Sequence, residues 1–179
     1  MGVEHFQKLG ADVNALRIID RESADDPQWE PYLENADLIY FSGGSPGYLY
    51  ETMNGSRAWD AAQRAWNLGS VYAGCSGGAM VLGKRIPRLR LSGSVEGFNV
   101  VPAKFVLPHF DAGHAFFQTL AQGIRPQLKK GERMIGVDED TALVGKLGSE
   151  WQVMGKSKVH VFTREGSKEY STGQTIVFD

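Results

Sequence analysis

Residues 71–83 read Val-Tyr-Ala-Gly-Cys-Ser-Gly-Gly-Ala-Met-Val-Leu-Gly, and no other stretch constrains the fold so tightly. A short β-branched and aromatic run delivers the chain into five residues with almost no side-chain bulk, and an apolar run follows. That order predicts a strand, a turn too sharp for bulky Cβ substituents, and a helix. A polar residue at the tip of such a turn is held in a strained conformation and presented outward. Gly74 and Gly78 frame Ser76 in a Gly-x-Ser-x-Gly pattern, while Ala73 and Gly77 frame Cys75 with the same spacing. Spacing alone leaves both as candidate nucleophiles.

The surrounding pattern repeats the theme. Residues 1–9 read as the tail of a helix closing at Gly10, residues 13–19 as a strand, and Asp26-Pro27 as the start of a short helix through Leu33. Ala36 to Phe41 reads as a buried strand ending in Ser42-Gly43-Gly44. Ser45-Pro46 starts a helix, and Ser56 caps another in which Trp59, Ala62 and Trp66 share one face before Gly69 stops it. Phe105-Val106-Leu107 is a strand ending at Pro108-His109-Phe110, followed by a helix with an apolar stripe of Phe116, Phe117, Leu120, Ala121 and Ile124. Beyond Gly131 the texture changes to short strands near residues 134–137, 141–144, 151–154, 158–162 and 174–178, separated by glycine-containing turns. Alternating strands and helices predict a mainly parallel sheet covered on both faces, with an antiparallel finish, in one α/β domain over residues 1–179. Function in such sheets gathers at the C-terminal strand ends, where the Gly43-Gly44, Cys75-Ser76 and His109 loops all lie.

Composition excludes several classes. The 179 residues carry a formal net charge of −2, so no global positive field recruits nucleic acid. No apolar run reaches the roughly 18 residues a membrane span needs. The single cysteine leaves no intramolecular disulfide, and the opening residues lack a basic-then-apolar leader, which points to a cytoplasmic setting. No Cys or His cluster has metal-ligand spacing, and no glycine-rich turn matches a dinucleotide or phosphate fingerprint, so no cofactor is expected.

A serine or thiol nucleophile needs a base, oxyanion donors and a group to orient the base. His109 is the first choice as base, by position, over His5, His114 and His160. The backbone N–H groups of Gly77 and of the Gly43-Gly44 turn suit the oxyanion. Glu139, in Asp138-Glu139-Asp140, is the first choice of orienting acid, with Asp138 and Glu96 as competitors. Lys84-Arg85-Ile86-Pro87-Arg88-Leu89-Arg90 holds four cations beyond the turn; it reads as a solvated loop from which one arginine could pair with a substrate carboxylate.

Together, Ala36 to Gly44, Ala73 to Gly83, Pro108-His109-Phe110 and Gly136 to Leu143 resemble the serine peptidases related to dipeptidase E and cyanophycinase. The resemblance implies the class I glutamine amidotransferase-like fold, a flavodoxin-like three-layer α/β sandwich. It implies Ser76 rather than Cys75 as nucleophile, His109 as base, and Gly44 and Gly77 as oxyanion donors. Cyanophycinase-like members place the acid in the segment similar to Asp138-Glu139, whereas dipeptidase E draws it from between serine and histidine, where Glu96 lies. The implied substrate is a short peptide, with an acidic residue beside the scissile bond, and the candidate assembly is a homodimer.

Three departures stand out. Gly77 replaces the family's usual alanine and is expected to loosen the turn. Asp111-Ala112-Gly113-His114 replaces the arginines that follow His-Phe in cyanophycinases, which points away from the aspartate-arginine polymer. The family's first strand and its glycine-containing loop, upstream of the opening helix, are expected to be missing. A cysteine-dependent, amidotransferase-like hydrolase using Cys75 and a non-catalytic binding module are the rival readings.

Overall fold

A computed structural model describes residues 2–88, 93–112 and 116–178. Helix α1 (Gly2–Lys8) leads into residues 11–19, which form no strand. A strand needs a paired edge, and among the described residues no strand pairs with this segment. Its end is instead taken up by a capping box: Asp20 accepts from the Ser23 N–H, and Ser23 Oγ accepts from the Ile19 and Asp20 N–H groups. The box starts the short helix α2 (Arg21–Ala24), which the sequence pattern did not reveal.

A 3-10 turn (Pro27–Trp29) runs into α3 (Glu30–Glu34), followed by β1 (Leu38–Phe41), α4 (Pro46–Met53), α5 (Arg57–Leu68) and β2 (Val71–Gly74). Ser56 Oγ accepts the Trp59 N–H at 3.1 Å to start α5, and Gly69 ends it with φ 119°. Ala58, Trp59, Ala61, Ala62 and Ala65 bury one face of this helix against Ile39, Leu33 and Met53. Trp59 stacks on Phe98 at 3.7 Å, so it and the adjoining Trp66 are core side chains. On the outer side Arg57 and Arg64 pair with Glu30 and Glu34 of α3.

The short helix α6 (Gly77–Met80) follows β2, and a hairpin of β3 (Arg85–Pro87) and β4 (Ser94–Glu96) comes next. The segment with four cations is thus partly ordered as strand. Arg85 bonds back to Ser94 across the hairpin and Arg88 is exposed, while Arg90 lies outside the described residues.

Strand β5 (Phe105–Leu107), α7 (Phe116–Ile124), a second 3-10 turn (Arg125–Gln127) and β6 (Met134–Val137) form the next unit. Of the predicted apolar stripe of α7, Phe117, Leu120, Ala121 and Ile124 pack with Phe105, Leu107, Leu128 and Met134, whereas Phe116 is exposed. Strands β7 (Thr141–Gly145), β8 (Trp151–Gly155), β9 (Lys158–Phe162), β10 (Ser167–Ser171) and β11 (Thr175–Ile176) complete the chain, β10 being absent from the sequence-based assignment.

The chain is mixed α/β, but the expected mainly parallel sheet is not the arrangement found. Among the described residues the strands form four small sheets, and only β1 with β2 and β5 with β6 pair in parallel. The remaining pairs are antiparallel: β3 with β4, β6 with β9, β9 with β10, β7 with β8 and β8 with β11. Among the described residues no helix is long and apolar enough to cross a membrane.

Candidate active site

Strand β2 ends in the predicted sharp turn. Ser76 has φ 54° and ψ −121°, a conformation L-residues adopt only when their surroundings impose it. Cys75, one residue earlier, is not in the left-handed region, and its thiol lies beside the Tyr40 hydroxyl. Partial burial and that thiol push the Tyr40 hydroxyl up to about 12. Of the two candidate nucleophiles, Ser76 therefore occupies the strained tip.

The imposing surroundings are glycine backbone. A Cβ on Gly74 would lie 2.2 Å from the Gly78 carbonyl oxygen, one on Gly78 would lie 2.1 Å from that of Phe41, and one on Gly77 would lie 2.4 Å from that of Gly44. Gly77, expected to loosen the turn, instead allows it to seat against the loop after β1. A Cβ on Gly43 would stand 3.0 Å from Ser76 Cβ and 3.2 Å from its Oγ. The glycine loop after β1 and the serine turn after β2 thus pack as one body, helped by the Cys75 N–H donating to the Phe41 carbonyl at 3.1 Å. Among the described residues, the N–H groups of Gly44 and Gly77 have no acceptor, so both remain available as donors. Behind the turn, Met80 and Val81 anchor α6 in a core with Ile86 and Phe98.

His109 follows β5 and also has φ 54°. Its Nδ1 lies 2.6 Å from Glu139 Oε1. That bond assigns the Nδ1 proton toward the carboxylate and leaves Nε2 as the atom able to accept one. Among the described residues Ser76 Oγ has no hydrogen-bond partner, so the structure does not join it to His109. Such contacts are commonly long in unliganded enzymes and close when substrate binds.

The competing acids are committed elsewhere. Asp138 is buried and bonds His160 Nε2 at 2.9 Å, Ser157 Oγ at 2.7 Å and the Lys158 N–H at 3.1 Å. Glu96 accepts from the Tyr50 hydroxyl at 3.3 Å. Of the other histidines, His160 is thus tied to Asp138, His5 sits on α1 against Phe6, and His114 lies outside the described residues.

Two links around His109 were not assigned from the sequence. The Phe110 ring fills the space a side chain at Gly136 would need, its Cδ2 lying 2.7 Å from a Cβ placed there. The Glu139 N–H donates to Asp111 Oδ1 at 2.7 Å. A glycine inside a strand is a known sign of close approach, so Gly136 carried a readable signal; Asp111 carried none. Among the described residues no cluster of His, Cys, Asp and Glu could hold a metal ion.

Comparison with known proteins places this geometry in context. The profile of peptidase family S51 matches residues 2–149. A cyanophycinase from Geminocystis herdmanii (strain PCC 6308) is 24% identical over 188 residues, covering 99% of this chain and 68% of that protein. One from Nostoc sp. (strain PCC 7120) is 25% identical, covering 87% of this chain and 55% of its own length. This chain thus spans little more than half of the Nostoc relative. Among solved structures, a peptidase from an acI-B1 Actinobacterium is similar with TM-score 0.86 and 38% identity, over 99% of this chain and 74% of that one. A putative peptidase E protein from Listeria monocytogenes EGD-e shares the fold at TM-score 0.59 and 16% identity, over 96% of this chain and 76% of its own.

Proposed function

The chain belongs to peptidase family S51, and on that premise we propose that it is a serine peptidase hydrolysing short peptides through an acyl-enzyme on Ser76. The observation that carries this reading is the strained Ser76 at the end of one parallel strand pair, seated against the Gly43-Gly44 loop, in a chain whose other parallel pair presents a carboxylate-bonded histidine.

In this mechanism His109 Nε2 takes the Ser76 hydroxyl proton as Oγ attacks the scissile carbonyl. The Gly44 and Gly77 N–H groups receive the negative charge that develops on the carbonyl oxygen. Collapse of the tetrahedral adduct breaks the C–N bond, and the amine leaves with the proton held by His109. Water, deprotonated by the same imidazole, then attacks the acyl group and releases the acid with Ser76 restored. Glu139 keeps the imidazole turned and stabilises its positive charge in both halves. Short peptides with an acidic residue beside the scissile bond are the first substrates to test, because the family resemblance points to them.

The test is hydrolysis of a dipeptide and short-peptide library by the wild type and by Ser76→Ala. The variant is expected to lose about 10³-fold or more in kcat/KM. Full activity in the variant overturns the reading. Labelling of Cys75 by iodoacetamide with matching inactivation, and none of Ser76 by a fluorophosphonate, transfers the role to the thiol.

A further inference from the structure

The turns carrying His109 and Glu139 leave neighbouring parallel strands. The register of β5 and β6, with Leu107 opposite Gly136, brings the two turns side by side. Besides the His109–Glu139 bond itself, two hydrogen bonds link them. The Phe110 N–H donates to the Val137 carbonyl at 3.1 Å, extending the strand ladder by one step. The Glu139 N–H donates to Asp111 Oδ1 at 2.7 Å, and this is the link made by a side chain.

Glu139 has few other restraints. Its side chain is 52% exposed, its carboxylate bonds His109, and its carbonyl accepts from Thr141 Oγ1 at 3.0 Å. The residue before it, Asp138, is locked by His160, Ser157 and Lys158, and the residue after it, Asp140, has φ 52°. The Asp111 carboxylate restrains the peptide between Asp138 and Glu139 through its N–H. Asp111 is itself exposed and, among the described residues, pairs with no cation, so this bond is the polar contact it makes. A carboxylate accepting from a backbone amide is a charge-assisted bond, stronger than a neutral one.

We infer that Asp111 is a positioning residue: it holds the Glu139 backbone so that its carboxylate meets His109 Nδ1. The inference rests on the proposed peptidase mechanism for its effect on rate, but not for its effect on the His109–Glu139 bond.

Asp111→Asn keeps an oxygen acceptor and Asp111→Ala removes it. The alanine variant is expected to lose about tenfold in kcat with KM within about twofold, and the asparagine variant to stay within about threefold of wild type. If Asp111 acts only through Glu139, adding Asp111→Ala to Glu139→Gln changes kcat by no more than about twofold. Independently of turnover, the His109 Nδ1–H bonded to a carboxylate should give a low-field proton resonance, assigned by its loss in His109→Gln. That resonance should persist in Asp111→Asn and disappear in Asp111→Ala. Wild-type kcat in Asp111→Ala with the resonance intact overturns the inference, as does a double variant about tenfold slower than Glu139→Gln alone. If Ser76→Ala retains full activity, the peptidase mechanism fails while the resonance still decides the role of Asp111. A wild type with neither turnover nor resonance overturns the inference as well, since there is then no held pair to position.

Discussion

Ser76 and His109 share the same φ, 54°, yet the molecule holds them there by opposite means. The serine turn is held by exclusion: backbone carbonyls of Phe41, Gly44 and Gly78 stand where side chains would be, and among the described residues the Ser76 side chain makes no hydrogen bond. The histidine turn is held by attachment: a carboxylate on the imidazole, the Phe110 N–H on Val137, and a ring seated on Gly136. A left-handed non-glycine residue costs on the order of 1–3 kcal/mol, which the surroundings must supply in each case. Steric enclosure admits no substitution at its walls, whereas attachment depends on a few polar groups that can be exchanged singly. The two turns should therefore fail differently.

The largest effect after loss of Ser76 itself is expected at the wall of the serine turn. Gly78→Ala puts a Cβ against rigid backbone and should cost about 3 kcal/mol or more in urea unfolding, with loss of fluorophosphonate labelling. A variant as stable and as reactive as the wild type would break the contrast. At the other turn, Glu139→Gln should leave stability within about 0.5 kcal/mol but lower kcat/KM about 10²-fold, since it removes charge and keeps shape. Gly136→Ala falls between the two kinds. Its Cβ meets a side-chain ring, not backbone, so unfolding should show a loss of about 1–2 kcal/mol with partial activity.

The smallest effect is expected at the far end of the β5–β6 pair, where Lys104 Nζ meets Glu132 Oε2 at 2.7 Å. Burial pushes the Glu132 carboxyl up, but the hydrogen bonds and charges of Lys104 and Lys129 outweigh it and hold it below its ordinary 4.5. A lowered folded value means that the contribution is full above the ordinary range and is lost as pH falls through the folded value. Glu132→Gln should thus destabilise by about 1 kcal/mol or less at neutral pH. The difference from wild type should vanish in acid, below the lowered value. A gap that persists there would show that the clamp acts by packing.

Legibility followed the same division. The glycine-rich serine turn, the Ser56 and Gly69 caps of α5 and the strands β1, β2 and β5 to β9 were readable, because close approach, capping and apolar runs leave local residue patterns. The β3–β4 hairpin was hidden by its charged residues, and residues 13–19 misled because an apolar run reports burial without a partner edge. Leu16 and Ile18 of that run do pack against the α5 core, as their pattern suggests, but with irregular backbone.

The sequence by itself determined where the sharp turns fall and which residues sit at their tips, since both depend on side-chain size within a few positions. Only the tertiary structure decided that Glu139 faces His109, while Asp138 is bound by His160 and Glu96 by Tyr50. It likewise decided that Asp111 reaches the Glu139 amide. These choices turn on how segments separated by tens of residues pack together, and a hydrogen bond between such segments leaves no trace in the order of residues along the chain.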